Sequence, residues 1–556
     1  MRFLTHISIV LLFWMSSISM VVGQEAEWEK IDEGEIEDAS FVVEKSRQIE
    51  LPQEARRFIK IPPLPVRQKK ILSGNYDYAL VTPTLSPLNI RSRALKLKAE
   101  SLEKLYGGNI SAGFGNYVTP YLDVSLFNKR ENKYALGGNF THLSSRNGPV
   151  DGENSGSGHT NASFTSKYFG SKMTAGIGAH YNRNMVHFYG YNPGIEVSDD
   201  TIKQVFNTYN LNASISNTDK NDDFDYSLGL DYNYVKDNYQ ASESKIEVVL
   251  KSNMYLREGF KFYLDADIML SSYKNPDLIK RNLIKIKPYV YYRWSEFDIT
   301  GGLNFVFKND TLSSQSNVLL FPYINIDYFI NDNYKVFFAI DGDVEKVDYQ
   351  STVIENPWIA EGVPLFNRNK KLGIKLGLHG KVSNLFNFLV GVELSEYKNK
   401  YFFLNDSIDQ SRFILDYEYE NTSVIDIYGE LVYSRIKDYR FSLRGDYYNY
   451  STKSLAEAWH QPSYKLSLSA RYNLYDKILF GANLYFMGGI KAWNYTDNQI
   501  ITLSSIVDIN FNVRYLFSDQ LSVFIRFDNI TGKNYERYYR YPSRGVQILA
   551  GASFNF

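Results

Sequence analysis

The chain has 556 residues, of which 44% are hydrophobic and 16% aromatic, and its formal net charge is −1. The near-zero charge argues against a nucleic-acid partner, and the absence of cysteine excludes disulfides, thiolate metal sites and a lipid-modified N-terminal cysteine. Beyond the N-terminus, no apolar run reaches the ~18 residues of a membrane helix. The 45 Tyr and 36 Phe suit a protein with aromatic rings at two membrane–water interfaces.

The first residues have the pattern of an export signal. Arg2 supplies a positive charge, residues 7–22 are largely apolar, and a cleavage point near Gln24 follows Gly23. A membrane anchor is the alternative, but the apolar stretch is short and an acidic segment follows it. The sequence therefore predicts a signal peptide over 1–23 and export from the cytoplasm.

Residues 24–107 differ in composition from the rest of the chain. They begin acidic, pass through the proline-rich stretch 61–65 and continue into the basic stretch 67–70. The proline-rich part is predicted to be extended. Two interpretations stay open, a solvated periplasmic leader or a segment that docks a periplasmic partner or partly fills a pore.

From residue 108 to the end, side chains alternate with the period of two that is typical of β-strands. In the run 464–474, apolar side chains such as Leu466 alternate with polar ones such as Arg471. The same pattern recurs at 224–234, 478–487 and 507–515. Alternation alone does not separate a membrane barrel from a soluble sandwich, so the connections must decide.

Short and long connections alternate along the chain. Short polar turns are predicted near 128–132, 169–172, 217–223, 257–259, 294–296, 331–333, 383–387, 436–438, 475–477 and 517–520. Mostly longer stretches are predicted at 144–158, 187–203, 237–241, 273–281, 308–317, 348–370, 403–423, 451–463, 489–503 and 529–544. With a tight link at 116–118, these make eleven hairpins. We therefore predict an all-β fold over 108–556, a closed antiparallel transmembrane barrel of about 22 strands with short periplasmic turns and longer extracellular loops.

The C-terminus supports the same architecture. The final run 546–556 alternates and places Phe554 and the terminal Phe556 on its apolar face. Outer-membrane barrels resemble one another in ending on such a strand, which the barrel-assembly machinery is thought to recognise. The sequence therefore predicts outer-membrane localisation, with the lipid of that membrane and the assembly machinery as partners.

The barrel part resembles that of TonB-dependent receptors. The resemblance rests on the predicted strand number, on the segment Phe527–Tyr535 followed by Tyr541–Gly545, and on the Gly-aromatic segment Gly113–Tyr117. It implies a receptor-type barrel for solute uptake. Residues 24–107 are shorter than the family's plug and lack its Arg-Gly and Val-Asp-Gly motifs, so the lumen needs another closure, by the leader, by inward-folding loops or by a partner protein.

Catalytic and metal sites are not predicted. The seven histidines have no metal-ligand spacing, and no oriented Ser/His/acid arrangement is evident; we expect no enzyme activity and no cofactor. The external loops carry aromatic residues that suit either the outer aromatic girdle or stacking on a ligand: Trp358, Trp459, Trp493, Tyr495, Tyr538 and Tyr539. Charges expected to face the lumen are Lys465, Arg471, Arg514, Arg440, Arg444 and Asp508, and their mixed signs fit an internally paired wall as well as ion selectivity.

Three functions remain open from the sequence. The favoured one is solute uptake or passage across the outer membrane. The second is a non-transporting scaffold or assembly barrel whose residues 24–107 dock a periplasmic partner. The third, an outer-membrane enzyme, is disfavoured by the residues present.

Overall fold

A computed structural model describes residues 105–129, 131–192, 194–218, 223–310, 317–435 and 438–556. The predicted signal peptide and most of the predicted leader lie outside these residues. Within them, the chain forms one 22-stranded antiparallel sheet and two short two-stranded sheets. The strands of the large sheet are β1 (Gly108–Gly115), β2 (Thr119–Phe127), β3 (Tyr134–Ser145), β4 (Ser157–Phe169), β5 (Met173–His187), β6 (Lys203–Asn217), β7 (Phe224–Asp237), β8 (Ser242–Arg257), β9 (Phe260–Lys274), β10 (Leu278–Trp294), β11 (Phe297–Lys308), β12 (Val318–Asn331), β13 (Tyr334–Glu345), β14 (Arg368–Ser383), β15 (Phe386–Asn405), β16 (Phe413–Arg435), β17 (Tyr439–Ser451), β18 (Tyr464–Leu474), β19 (Ile478–Gly488), β22 (Ile506–Leu516), β23 (Leu521–Asp528) and β26 (Gln547–Asn555).

The remaining elements lie in the connections. Two hairpins are formed by β20 (Lys491–Asn494) with β21 (Gln499–Thr502), and by β24 (Glu536–Tyr538) with β25 (Tyr541–Pro542). A 3-10 helix spans Gly152–Ser155, and α-helices span Asp199–Ile202 and Tyr349–Glu355. In the described part of the chain, no helix is long and apolar enough to cross a membrane.

The large sheet closes into a barrel because its last strand pairs with its first. β1 and β26 run antiparallel with Ala112 opposite Ala552, and every other barrel strand pairs with its neighbours in the ring. Closure leaves no edge strand with unpaired backbone groups, which is the requirement for a sheet in lipid. The predicted closed barrel of 22 strands is confirmed.

The two faces of the wall differ as the alternation predicts. Large apolar side chains point outward and stay exposed, with Ile177 61%, Leu211 56% and Leu320 56% exposed. Phe554 and Phe556 also lie on this outer face, 46% and 43% exposed. Because an exposed apolar surface of this extent is unfavourable in water, the outer face fits a lipid environment.

The connections define two ends of the barrel. The end that carries Gly108, Phe556 and the short connections is called the turn end, and the opposite end is called the loop end. Two predicted long loops are shorter than expected. Strands β9 and β10 are separated by residues 275–277 alone, and β15 and β16 by residues 406–412. The predictions of loops over 273–281 and 403–423 were wrong in extent because a strand that rises beyond a membrane need not keep one apolar face.

The longest strands lie beside each other. β15 has 20 residues and β16 has 23, whereas a membrane strand needs only about 9–11. Their loop-end halves therefore extend well past the apolar band. Tyr401, Phe403 and Phe413 in these halves are nonetheless buried, because other connections of the chain pack against them inside the barrel.

Candidate functional site: the lumen and its cap

The predicted lumen charges all lie at inward-facing positions on β17, β18 and β22. Arg444 forms ion pairs with Asp446 at 2.8 Å and with Glu430 at 3.5 Å. Asp508 accepts a hydrogen bond from the Tyr535 hydroxyl at 2.7 Å. This part of the wall is therefore internally paired.

Two of the predicted lumen cations lack an acidic partner among the described residues. Arg440 and Arg471 lie directly opposite each other on β17 and β18, and neither forms an ion pair with any residue that the structure describes. Arg514, near the same end, lies 5.6 Å from the centre of the Phe524 ring. Lys465, closer to the loop end, lies 5.2 Å from the Tyr448 ring. Within the described residues, the turn-end lumen on this side therefore carries positive charge without an acidic partner.

A second group of charges, on β8 to β15, was missed by the sequence reasoning. Lys370 lies 2.8 Å from both Asp341 and Glu393. Lys346 lies 2.7 Å from Glu247 and 2.5 Å from Asp267. The only signal in the sequence was charge at inward positions of several neighbouring strands, which becomes meaningful once the register is known.

The loop end of the barrel is covered by a segment that we call the strap, residues 346–367 between β13 and β14. It begins with the helix Tyr349–Glu355, whose first turn is capped by the Asp348 side chain, which accepts a hydrogen bond from the Ser351 N–H at 2.7 Å. Asp348 also lies 2.6 Å from Lys245 on β8. These contacts fix where the strap enters the lumen.

Both ends of the strap are held by one buried arginine. Arg281 on β10 is 1% exposed, and it donates hydrogen bonds to the Val347 carbonyl at 2.6 Å and to Asn367 Oδ1 at 3.1 Å. Its charge is balanced by Glu243, 3.7 Å away. Glu243 also accepts a hydrogen bond from the Tyr349 N–H at 2.6 Å. Glu243 is itself only 3% exposed, so the whole anchor is removed from water.

The strap packs into a large aromatic and aliphatic cluster that we call the cap. Its buried members come from the strap, from hairpin β24–β25 and from the inward faces of five strands and one connection: Phe206, Val235, Ala241, Tyr273, Val347, Tyr349, Val353, Ile359, Ala360, Val363, Leu365, Tyr401, Phe403, Phe413, Leu415, Tyr417, Tyr538 and Tyr541. Trp358 and Tyr189 pack against it from partly buried positions. Burial raises the pKa of the Tyr349 and Tyr541 hydroxyls well above the ordinary value.

The cap joins opposite walls of the barrel. Trp358 Nε1 donates a hydrogen bond to the His187 carbonyl at the end of β5, at 3.0 Å. The Trp358 carbonyl accepts one from the Phe413 N–H at the start of β16, at 2.8 Å. Because β5 and β16 are eleven strands apart in a ring of 22, one residue of the strap connects the loop-end tips of strands from opposite sides of the barrel.

The loop aromatics predicted to be girdle or ligand residues mostly contact one another. The Trp358 ring stacks on Tyr541 with centroids 4.0 Å apart. Tyr538 donates from its hydroxyl to the Glu355 carbonyl at 2.8 Å. Trp459 is 4% exposed and packs with Trp493 in a smaller cluster. Two further predicted residues lie nearby: the Tyr495 hydroxyl donates to the Asn405 carbonyl at 2.9 Å, and Tyr539 packs beside the loop-end cluster around Ile490.

A fully buried histidine, His460 in the loop between β17 and β18, contacts both the cap and the loop between β23 and β26. His460 Nδ1 donates to the Phe403 carbonyl at 2.7 Å, and His460 Nε2 accepts from the Tyr539 N–H at 3.2 Å. The first contact requires a proton on Nδ1, and the second requires none on Nε2, so the ring is neutral. Burial lowers the pKa of His460 to about 4.

Metal chemistry has no support in the described residues, which contain no group of three or more His, Cys, Asp or Glu side chains arranged to hold an ion.

Solved structures with similar folds include an iron transporter, a siderophore receptor and an outer membrane receptor. The FrpB iron transporter from Neisseria meningitidis matches with a TM-score of 0.63 and 11% identity, over 82% of this chain and 82% of that chain. The siderophore receptor PirA from Acinetobacter baumannii matches with a TM-score of 0.63 and 11% identity, over 82% and 81%. The pyoverdine outer membrane receptor FpvA from Pseudomonas aeruginosa PAO1 matches with a TM-score of 0.61 and 12% identity, over 82% and 79%. No protein-family model and no curated protein matches the chain.

At these identities the similarity is one of fold. The predicted resemblance to the barrel of TonB-dependent receptors is confirmed at that level. The ligand contacts of the loop aromatics and the roles of the lumen charges stay predictions.

Proposed function

We propose that this chain is an outer-membrane receptor-type barrel that admits a solute through its lumen, and that the cap closes its external mouth. The observation that carries the proposal is the strap, which bridges opposite walls above a polar lumen. The named functions of the structural neighbours support the same class of activity, since they are an iron transporter, a siderophore receptor and a pyoverdine receptor. The loop end then faces outside and the turn end faces the periplasm.

Closure by a cap implies that passage requires the cap to move. A solute that binds the loop aromatics or the inner surface of the strap displaces contacts such as the Trp358 bridge and thereby favours the open state. Only a ligand with different affinities for the two states can shift such an equilibrium.

The structure offers a clean way to remove the strap. The Val347 N–H donates to Asn367 Oδ1 at 2.9 Å, so the two ends of the strap lie side by side. A short Gly-Ser link can therefore replace residues 349–366 without straining β13 or β14. A matched control shortens the connection within residues 149–154, which supply no residue to the cap and leave the Gly156 contact to His187 intact.

The test is ion conductance in planar bilayers, measured for the full chain, the strap replacement and the control, each with and without residues 24–107. We expect the strap replacement to conduct strongly and the control to stay as closed as the full chain. Heat-modifiable migration on a gel checks that each variant has folded. A folded strap replacement that carries no current, with residues 24–107 absent as well, would contradict solute passage.

A second candidate function is a scaffold or assembly barrel. The observation that favours it is the buried anchor of Arg281 and Glu243. A buried polar network of this kind can hold the strap in place permanently, and a permanently closed barrel would not transport a solute. We propose in that case that residues 24–107 dock a periplasmic partner. The conductance experiment separates the two functions, since a scaffold need not conduct in any form.

A further inference from the structure

Four cationic side chains point away from the lumen near the loop end of the wall from β5 to β10, and we call them the basic patch: Arg183 on β5, Lys236 on β7, Lys274 on β9 and Lys280 on β10. Their orientation follows from their neighbours in the chain. Val235 and Tyr273 are 0% exposed and Arg281 is 1% exposed, all facing inward. Since successive side chains of a strand point to opposite faces, the three lysines beside them face outward.

The basic patch has no internal neutralisation. None of its four members forms an ion pair with a residue that the structure describes. Two other cations near the loop end have acidic partners: Lys203 lies 3.8 Å from Asp199, and Lys371 lies 3.6 Å from Glu396. Within the described residues, the patch is therefore a local excess of positive charge that a negative ligand could neutralise.

The strand register sets the spacing of the patch. Arg183 lies opposite Asn207, which lies opposite Lys236, and Ser242 connects Lys236 to Lys274 in the same row. Neighbouring strands are about 4.8 Å apart, so successive cations of this row are about 10 Å apart at the backbone. Lys280 lies on the next strand, opposite Ser272. Flexible side chains at this spacing can converge on phosphate groups of one ligand.

The patch also lies at the level where a membrane headgroup region is expected. Three outward tyrosines form a continuous row that lies two residues closer to the turn end on each strand. Tyr181 and Tyr209 have ring centres 5.2 Å apart, and Tyr209 and Tyr234 have ring centres 6.4 Å apart. Such a row is typical of the aromatic belt at a membrane interface. Lys236 is the thirteenth residue of β7 from the turn end, which for a tilted strand is about 30 Å, just above an apolar band of about 25 Å.

We propose that the basic patch binds the phosphorylated headgroup of a lipid in the outer leaflet, with the acyl chains lying against the apolar wall of β5 to β10. This inference rests on the membrane location in the proposed function and is independent of whether a solute passes. The guanidinium of Arg183 supplies a planar pair of donors, and the three lysines supply point charges. The four cationic side chains would neutralise the negative charge of the lipid phosphates, as divalent cations do between neighbouring lipids.

The test is native mass spectrometry of the full-length protein in detergent, offered a phosphorylated lipid A and the same lipid with its phosphates removed. The variant carries Arg183→Gln, Lys236→Gln, Lys274→Gln and Lys280→Gln. The control carries glutamine at four exposed lysines of the turn end: Lys129, Lys133, Lys172 and Lys477. Heat-modifiable migration confirms that every form is a folded barrel, and so separates a failed patch from a failed barrel.

We expect the unmodified chain and the control to retain the phosphorylated lipid at least tenfold better than the dephosphorylated one, about what charge-assisted contacts to a single phosphate can provide. The patch variant should lose that preference. Equal retention of the two lipids by the unmodified chain, or an undiminished preference in the patch variant, would overturn the proposal. Inorganic phosphate is added as a competitor: a lipid that stays bound supports a headgroup surface, and displacement would overturn it in favour of a free-anion site.

Discussion

Replacing Trp358 by alanine should loosen the closure of the external mouth. The change removes the stack on Tyr541, worth about 0.5–1.5 kcal/mol, and the hydrogen bond to the His187 carbonyl, worth about 0.5–1.5 kcal/mol. Lost apolar burial brings the total to about 2–4 kcal/mol, somewhat below the range for fully buried Trp→Ala changes because Trp358 is partly buried. If the open state leaves this side chain in water, the open fraction rises roughly thirty- to a thousand-fold.

The absence of cysteine from the chain makes the assay simple. A Ser469→Cys substitution puts the only thiol on the lumen face of β18, and a membrane-impermeant maleimide added outside reports when the mouth is open. We expect labelling to accelerate strongly with Trp358→Ala. With Trp358→Phe, which keeps a stacking ring but lacks the N–H donor, it should accelerate about fivefold, from the loss of about 1 kcal/mol.

The control is Trp294→Ala, because Trp294 lies at the turn end and is 60% exposed. It should leave labelling unchanged. The reasoning is refuted if the Trp358→Ala protein is folded, by heat-modifiable migration, and labels at the rate of the parent. Fast labelling of the parent itself would also refute it, because the cap would then not be the barrier.

The remaining predictions concern pH, assembly and selectivity. The pKa of His460 is about 4 in the folded protein against an ordinary value of 6.5, so its contribution, about 3 kcal/mol, is complete above pH 6.5 and is lost as the pH falls to 4. Conductance should therefore rise over that range, and His460→Gln should flatten the profile; a parent profile that is already flat would contradict the assignment. Replacing Phe554 and Phe556 by alanine should lower the amount of folded barrel in the outer membrane several-fold, by quantitative heat-modifiable gel analysis, and equal amounts would remove these rings from any role in assembly. In the strap replacement, Arg440→Gln with Arg471→Gln should shift the reversal potential in a salt gradient toward cation preference, and an unchanged potential would show that these arginines do not face the path.

The barrel itself could be predicted because a membrane wall imposes a simple rule on every strand. Each inward position must be compatible with water and each outward one with lipid. The alternation of polar and apolar residues in a run such as 464–474 therefore predicts which side chains face the lumen and which face the lipid. Regular turns then give the strand number. The rule holds only within the apolar band, and the misjudged loop at 403–423 lies above it, where β15 and β16 continue with Phe403 and Phe413 turned toward the cap.

The cap could not be predicted because nothing local specifies it. Trp358 was recognised as a loop aromatic, but its partners Tyr541 and His187 lie on other loops and strands, far away in the chain. Nothing in the sequence distinguishes Arg281 from the other charged residues, because its contacts with both ends of the strap depend on the strand register. Contacts of this kind depend on how the closed ring brings remote segments together, which alternation along one strand does not encode.

The stacking of Trp358 on Tyr541 sets the order in which the molecule can be completed. Tyr541 stands six residues before β26, the strand whose pairing with β1 closes the ring. The strap therefore lacks its aromatic partner until the C-terminal segment is in place. Completion of the cap and closure of the ring thus depend on the same short stretch of chain.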